Sequence, residues 1–154
     1  MTGEFRRGVR LGVDVGSVRI GVARCDPDGI LAVPVTTVAR GDGDIARIVE
    51  LVHEFGATEV LVGDPISLSG QPGPAAAVAR GFAAELARVA GVPVRLVDER
   101  LSTVSAARSL QSAGRDTRGS RSVIDQQAAA VIVQTAVDAE KSTGRAPGHV
   151  VGIT

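Results

Sequence analysis

Val9-Arg10-Leu11-Gly12-Val13-Asp14-Val15-Gly16-Ser17-Val18-Arg19-Ile20-Gly21-Val22-Ala23 reads as two strands joined by a tight turn. Val9 to Val13 is a run of the buried type, Val18 to Ala23 is rich in Val and Ile, and Gly16-Ser17 supplies the turn. Asp14 ends the first strand where the backbone changes direction. Gly16 then lets the chain turn away without a side chain blocking the approach of a ligand.

The pattern extends outward from this hairpin. The turn formers Asp26-Pro27-Asp28-Gly29 lead into a third strand, Ile30 to Thr37, which predicts an antiparallel meander. Beyond Gly43, apolar residues fall at helical spacing (Ile45, Ile48, Val49, Val52, Phe55) and stop at Gly56, as helices often do. A short strand, Glu59 to Val62, and a Gly/Pro-punctuated loop from Gly63 to Pro74 precede a helix over Ala75 to Ala90 and a strand over Val92 to Val97. Ser102 or Thr103 can cap a further helix running to about Ala113. Gly114 to Arg121 is polar, basic and poor in structure formers, Val123 to about Lys141 is the last helix, and a flexible tail is expected from about 143. The order βββαβαβαα predicts an α/β fold, a mixed five-stranded sheet with helices on both faces, as expected of a ribonuclease H-like domain.

The bulk composition fits one domain over residues 1–154. Hydrophobic content of 44% and charged content of 22% are those of an ordinary globular chain, neither disordered nor fibrous. The longest apolar run, Ala128 to Val133, is far too short to cross a bilayer, and Arg6-Arg7 is followed by Asp14 rather than by an export signal, so no membrane and a cytoplasmic address are expected. The single Cys25 has no intramolecular partner and reads as a small hydrophobe, an intermolecular bridge being the less favoured alternative. Net charge is +0, so any nucleic-acid partner must be met locally. Aromatic content of 2% removes the stacking platform that single-strand binders use, which leaves contact with the phosphate backbone.

Three acids stand at element ends. Asp14 follows the first strand, Glu99 follows the strand Val92 to Val97 beside Asp98, and Asp125 opens the last helix. Each has an ordinary explanation: a turn former at Asp14, an acidic pair favoured by a helix dipole at Asp98-Glu99, and a Ser122-x-x-Asp125 capping box. Their joint pattern favours a hard divalent cation, because Mg²⁺ takes oxygen ligands from a few carboxylates and completes its shell with water and substrate phosphates. Asp64, before Pro65, is a fourth candidate that more often would serve a turn. His53 and His149 have no partner at ligand or triad spacing. Between Arg100 and Arg121, five arginines (Arg100, Arg108, Arg115, Arg118, Arg121) face Asp116 alone, a local positive footprint that the total charge hides.

With these residues in place the chain resembles the YqgF (RuvX) family, described as Holliday junction resolvases and as nucleases that process the 5′ end of pre-16S ribosomal RNA. The resemblance spans nearly the whole chain. It is carried by Asp14-Val15-Gly16-Ser17-Val18-Arg19-Ile20-Gly21-Val22-Ala23, Gly70-Gln71-Pro72-Gly73-Pro74, Asp98-Glu99-Arg100-Leu101-Ser102-Thr103 and Ile124-Asp125-Gln126-Gln127-Ala128-Ala129. It implies that Asp14, Glu99 and Asp125 are catalytic, holding two Mg²⁺ or Mn²⁺ ions, with Arg19 and Arg100 near the phosphates. Arg115, Arg118 and Arg121 extend the nucleic-acid-binding set. The sequence departs from the family pattern at Val62-Gly63-Asp64-Pro65, where relatives more usually carry an apolar residue before the proline. The implied substrate is a four-way DNA junction or a structured pre-rRNA, and a homodimer would suit the former. Two rivals are a non-catalytic binding module on the same fold and a nucleotide-binding loop at Asp14-Val15-Gly16-Ser17. The second rival needs another domain, for which 154 residues leave no room.

Overall fold

Side chains alternate across a strand, so each strand of a covered sheet must satisfy two faces at once. The computed structural model describes residues 5–65, 73–98 and 118–152, with the backbone alone for 118–122. Its strands are β1 (Arg10–Val15), β2 (Arg19–Cys25), β3 (Ala32–Ala39), β4 (Glu59–Asp64), β5 (Val94–Asp98) and β6 (His149–Val150). They form one mixed sheet in the order β3-β2-β1-β4-β5-β6. β1 to β3 are the antiparallel meander, and β4 and β5 add parallel to β1. The described helices are α1 (Asp44–Phe55), α2 (Pro74–Val89) and α3 (Arg118–Thr143).

One face carries most of the apolar core. Leu11, Val13 and Val15 of β1, Ile20 and Val22 of β2, and Val60 and Val62 of β4 pack there with Ile48, Leu51 and Val52 of α1 and Phe82 and Leu86 of α2. α1 stops where Gly56 turns left-handed at φ 60°, its N–H reaching back to the carbonyls of Val52 and His53. α2 starts with Pro74 in its first turn, where a missing N–H costs nothing. α3 covers the opposite face, setting Ala128, Ile132 and Ala136 on Leu61 and Val97, and Val133 and Val137 on Cys25. Cys25 is fully buried, and burial pushes its thiol up, which fits a small hydrophobe and disfavours a bridge to another molecule.

Two expectations need correction. The sheet has six strands rather than five, because the stretch read as a tail returns to pair antiparallel with β5, His149 opposite Leu96 and Val150 opposite Arg95. Gly148, at φ 61°, turns the chain against the carbonyl of Leu96, and two residues are too few to show any hydrophobic period. The last helix begins at Arg118, five residues before Val123, because apolar periodicity marks only the length of helix that rests on the sheet. Asp14 and Asp64 stand at the ends of their strands as expected, Asp14 one residue before the end of β1 and Asp64 as the last residue of β4. The helix expected from Ser102 or Thr103 to about Ala113 lies outside the described residues.

At the far end of the α3 face, charge replaces apolar packing. Arg10 is 1% exposed and reaches Glu59 at 3.4 Å and Glu140 of α3 at 3.2 Å, while Arg6 bonds Glu140 at 2.7 Å and Arg95 bonds Glu59 at 3.0 Å. Burial works to raise the Glu140 carboxyl. The hydrogen bonds from Arg6 and the charge of Arg10 outweigh it and hold the group below its ordinary value. A depressed acid contributes its full stability above the unfolded-state pKa of about 4.3 and loses it as pH falls through the lowered folded-state value. Glu140→Gln is therefore expected to cost about 3 kcal/mol at pH 7, since it leaves part of a buried arginine charge uncompensated. Thermal melts should show that gap closing below about pH 4; a gap independent of pH would contradict the assignment.

Candidate active site

The site grows from a row of residues that cross the meander on the α3 face. Asp14 of β1 stands opposite Gly21 of β2, and Gly21 stands opposite Thr37 of β3. Facing residues in antiparallel strands have Cα atoms about 4.5–5.5 Å apart. α3 lies directly over this row. A Cβ built on Gly21 would run into the backbone carbonyl of Asp125, so only glycine lets the helix descend this far. Gln126 fixes the helix sideways by donating from Nε2 to Thr37 Oγ1 at 3.0 Å. Gly12 repeats the device one turn along, where a Cβ would meet the Ala129 carbonyl at 2.8 Å.

Asp14 and Asp125, 111 positions apart in the chain (125 − 14), therefore meet the same glycine. Asp14 is 4% exposed. Asp125 is partly open, and its Oδ2 accepts a hydrogen bond from Arg19 Nε at 2.9 Å. Arg19 is the first residue of β2, and the turn before it is rigidly held. Gly16 N–H donates to the Arg19 carbonyl at 2.8 Å, and the Arg40 guanidinium donates to the Gly16 carbonyl at 3.1 Å. Arg40 also bonds Asp44 at 3.1 Å and lies over the Phe82 ring. Its part in fixing this turn has no sequence signal beyond its position between a strand and a helix.

The capping explanation for Asp125 does not hold, because α3 begins at Arg118 and Ser122 is inside the helix rather than at its cap. Asp64 belongs to neither the site nor a turn. It shares the face of Val60 and Val62, away from Asp14, and is clamped by Arg80 of α2, whose Nε lies 3.1 Å from Oδ1 and whose Nη2 lies 2.9 Å from Oδ2. This pairing in turn pushes the Arg80 guanidinium further up. Asp98 ends β5 in register with Asp64. Glu99, Arg100 and Arg115 lie outside the described residues. Arg118 and Arg121 stand at the start of α3, so the helix backbone delivers them to the same end of the sheet as Asp125.

Among the described residues no group of three or more His, Cys, Asp or Glu is gathered as a metal site, Glu99 being outside them. The donor set in view is nevertheless of the right kind. An acid of β1 and an acid of α3 are brought to the same face of the sheet at Gly21, and the Arg19 guanidinium stands beside the second. Among the described residues no helix is long and apolar enough to cross a membrane.

The same architecture occurs in solved structures. "T. thermophilus RuvC in complex with Holliday junction substrate" superposes with a TM-score of 0.58 at 18% identity, covering 91% of this chain and 99% of that one. "Thermus thermophilus RuvC structure" gives 0.52 at 19%, covering 88% and 97%. Fold and family together define a nuclease of ribonuclease H-like architecture. The family model RuvX, described as Holliday junction resolvase, matches residues 8–139, and this chain belongs to that family. Among curated relatives, a protein of Nocardioides sp. is 57% identical over 96% of this chain and 98% of its own length, and one of Thermobifida fusca is 56% identical over the same shares. Both carry the name "Putative pre-16S rRNA nuclease".

Proposed function

We propose that this nuclease hydrolyses phosphodiester bonds of structured precursor ribosomal RNA, in the cytoplasm, with divalent metal held by Asp14, Asp125 and Glu99. The observation that carries the metal assignment is the meeting of Asp14 and Asp125 over Gly21. Asp14 is 4% exposed and so is no solvated acid, and its position on the α3 face opposite Gly21 favours a ligand role. When bound, Mg²⁺ or Mn²⁺ ions would supply an activated water and a counter-charge for the leaving oxygen. The chain's own residues hold geometry: Asp14 from a rigid strand, Asp125 from a helix seated on two glycines, and the arginines Arg19, Arg100, Arg115, Arg118 and Arg121 on the phosphate side. In the reaction, water adds to phosphorus and one P–O bond of the strand breaks.

The RNA assignment is supported by the names of relatives at 48–57% identity over nearly the full chain. The family's description favours a second reading, a four-way DNA junction, which would call for a homodimer whose two-fold axis matches the junction. A labelled pre-16S leader RNA and a four-way DNA junction, incubated side by side with the protein and Mn²⁺, separate the two. Cleavage of the RNA alone is the expected result. Cleavage of the junction alone by a dimer would replace the substrate, and salt-dependent binding with no cleavage of either would turn the reading into a binding module.

A further inference from the structure

Arg19 is expected from the family resemblance to meet phosphate, yet its guanidinium is already engaged with Asp125. We propose that Arg19 is a positioning residue that acts as an exchangeable counter-ion. It holds the Asp125 carboxylate until a divalent cation displaces it, and is thereby released to the nucleic-acid phosphate. This rests on the metal-site reading above.

Three observations point to exchange rather than to a fixed structural bridge. The contact is a single hydrogen bond through Nε, whereas Arg80 grips Asp64 with three. Both partners are partly open, the side chains being 31% exposed for Arg19 and 21% for Asp125, whereas Asp64 is 4% exposed. A pair open to water is held by a small margin and is readily outcompeted. The backbone on both sides is fixed, by the Gly16 and Arg40 contacts at Arg19 and by the close seat of α3 on Gly21 at Asp125. The side chain can therefore leave without disturbing either element. A doubly charged ion attracts the same carboxylate twice as strongly as a guanidinium at equal distance, which favours exchange once the ion's own dehydration is offset by its other oxygen ligands.

The idea is tested on the full chain without nucleic acid. Mn²⁺ affinity is measured by calorimetry for wild type, Arg19→Gln, Arg19→Lys and Asp125→Asn, and the Arg19 Nε–H resonance is followed in ¹⁵N spectra during Mg²⁺ titration. Removing a competing cation should make Arg19→Gln bind Mn²⁺ about 2- to 5-fold more tightly, while Arg19→Lys stays close to wild type. The Nε–H signal should shift and lose exchange protection as Mg²⁺ fills the site. With substrate, Arg19→Gln should lower kcat/KM despite its tighter metal. Equal or weaker Mn²⁺ binding by Arg19→Gln, or an Nε–H signal indifferent to bound Mg²⁺, overturns the exchange role and leaves the metal site standing. Wild-type Mn²⁺ binding that survives Asp125→Asn unchanged overturns the metal site itself, and the exchange role with it.

Discussion

Asp14→Asn is expected to reduce cleavage on the order of 10³-fold while leaving the fold in place. The side chain keeps its shape and its position opposite Gly21, so packing on β1 is unchanged. What it loses is a full negative charge at a buried position, and the charge stabilisation a metal brings to phosphoryl chemistry amounts to several kcal/mol, each 1.36 kcal/mol being tenfold in rate. The melting temperature should stay close to that of wild type, since the side chain keeps its shape and its place on β1. Cleavage measured with Mn²⁺ beside a thermal melt checks both parts. Wild-type rates in Asp14→Asn would remove Asp14 from the chemistry, and a rate loss accompanied by collapse of the melt would mark it as structural instead.

Gly21→Ala is expected to be severely damaging, costing about 3 kcal/mol, at the upper end for overpacking. Most added methyl groups meet a side chain that can swing away. Here the obstacle is the carbonyl of Asp125 and the following amide, which belong to a helix already seated on Gly12 as well. Relief requires lifting the start of α3, which carries Asp125 away from Asp14 and breaks the Gln126 to Thr37 bond. For a chain of this size each kcal/mol lowers the melting temperature by roughly 2–4 °C, so a drop of about 6–12 °C should accompany loss of cleavage. Alanine tolerated in both assays would mean that the helix does not need this seat.

The meander and both α1 and α2 were legible because each rests on a pattern the chain repeats: buried runs, helical spacing, glycine at the turns. Gly21 was on the page as part of a motif, but why a glycine is needed there depends on a helix more than a hundred residues later. Arg10, Glu59, Arg95 and Glu140 form a buried charge cluster from four separate elements, and no local window shows that such charges will pair. Asp64 resembled Asp14 in its setting before a turn. It differs by the parity of its position along the strand, which depends on where β4 begins. β6 owes its place to a turn at Gly148 and to the free edge of β5, neither of which two residues of sequence can announce.

The distance along the chain between the two acids has a consequence for synthesis. A ribosome making this protein completes β1 early, with Asp14 in place, while Asp125 has yet to be translated. Until α3 emerges and settles on the sheet, the nascent chain has the strand that bears Asp14 and lacks the helix that bears Asp125. The meeting of the two acids is thus a late event in the synthesis of the chain, one that waits for α3 to reach the sheet.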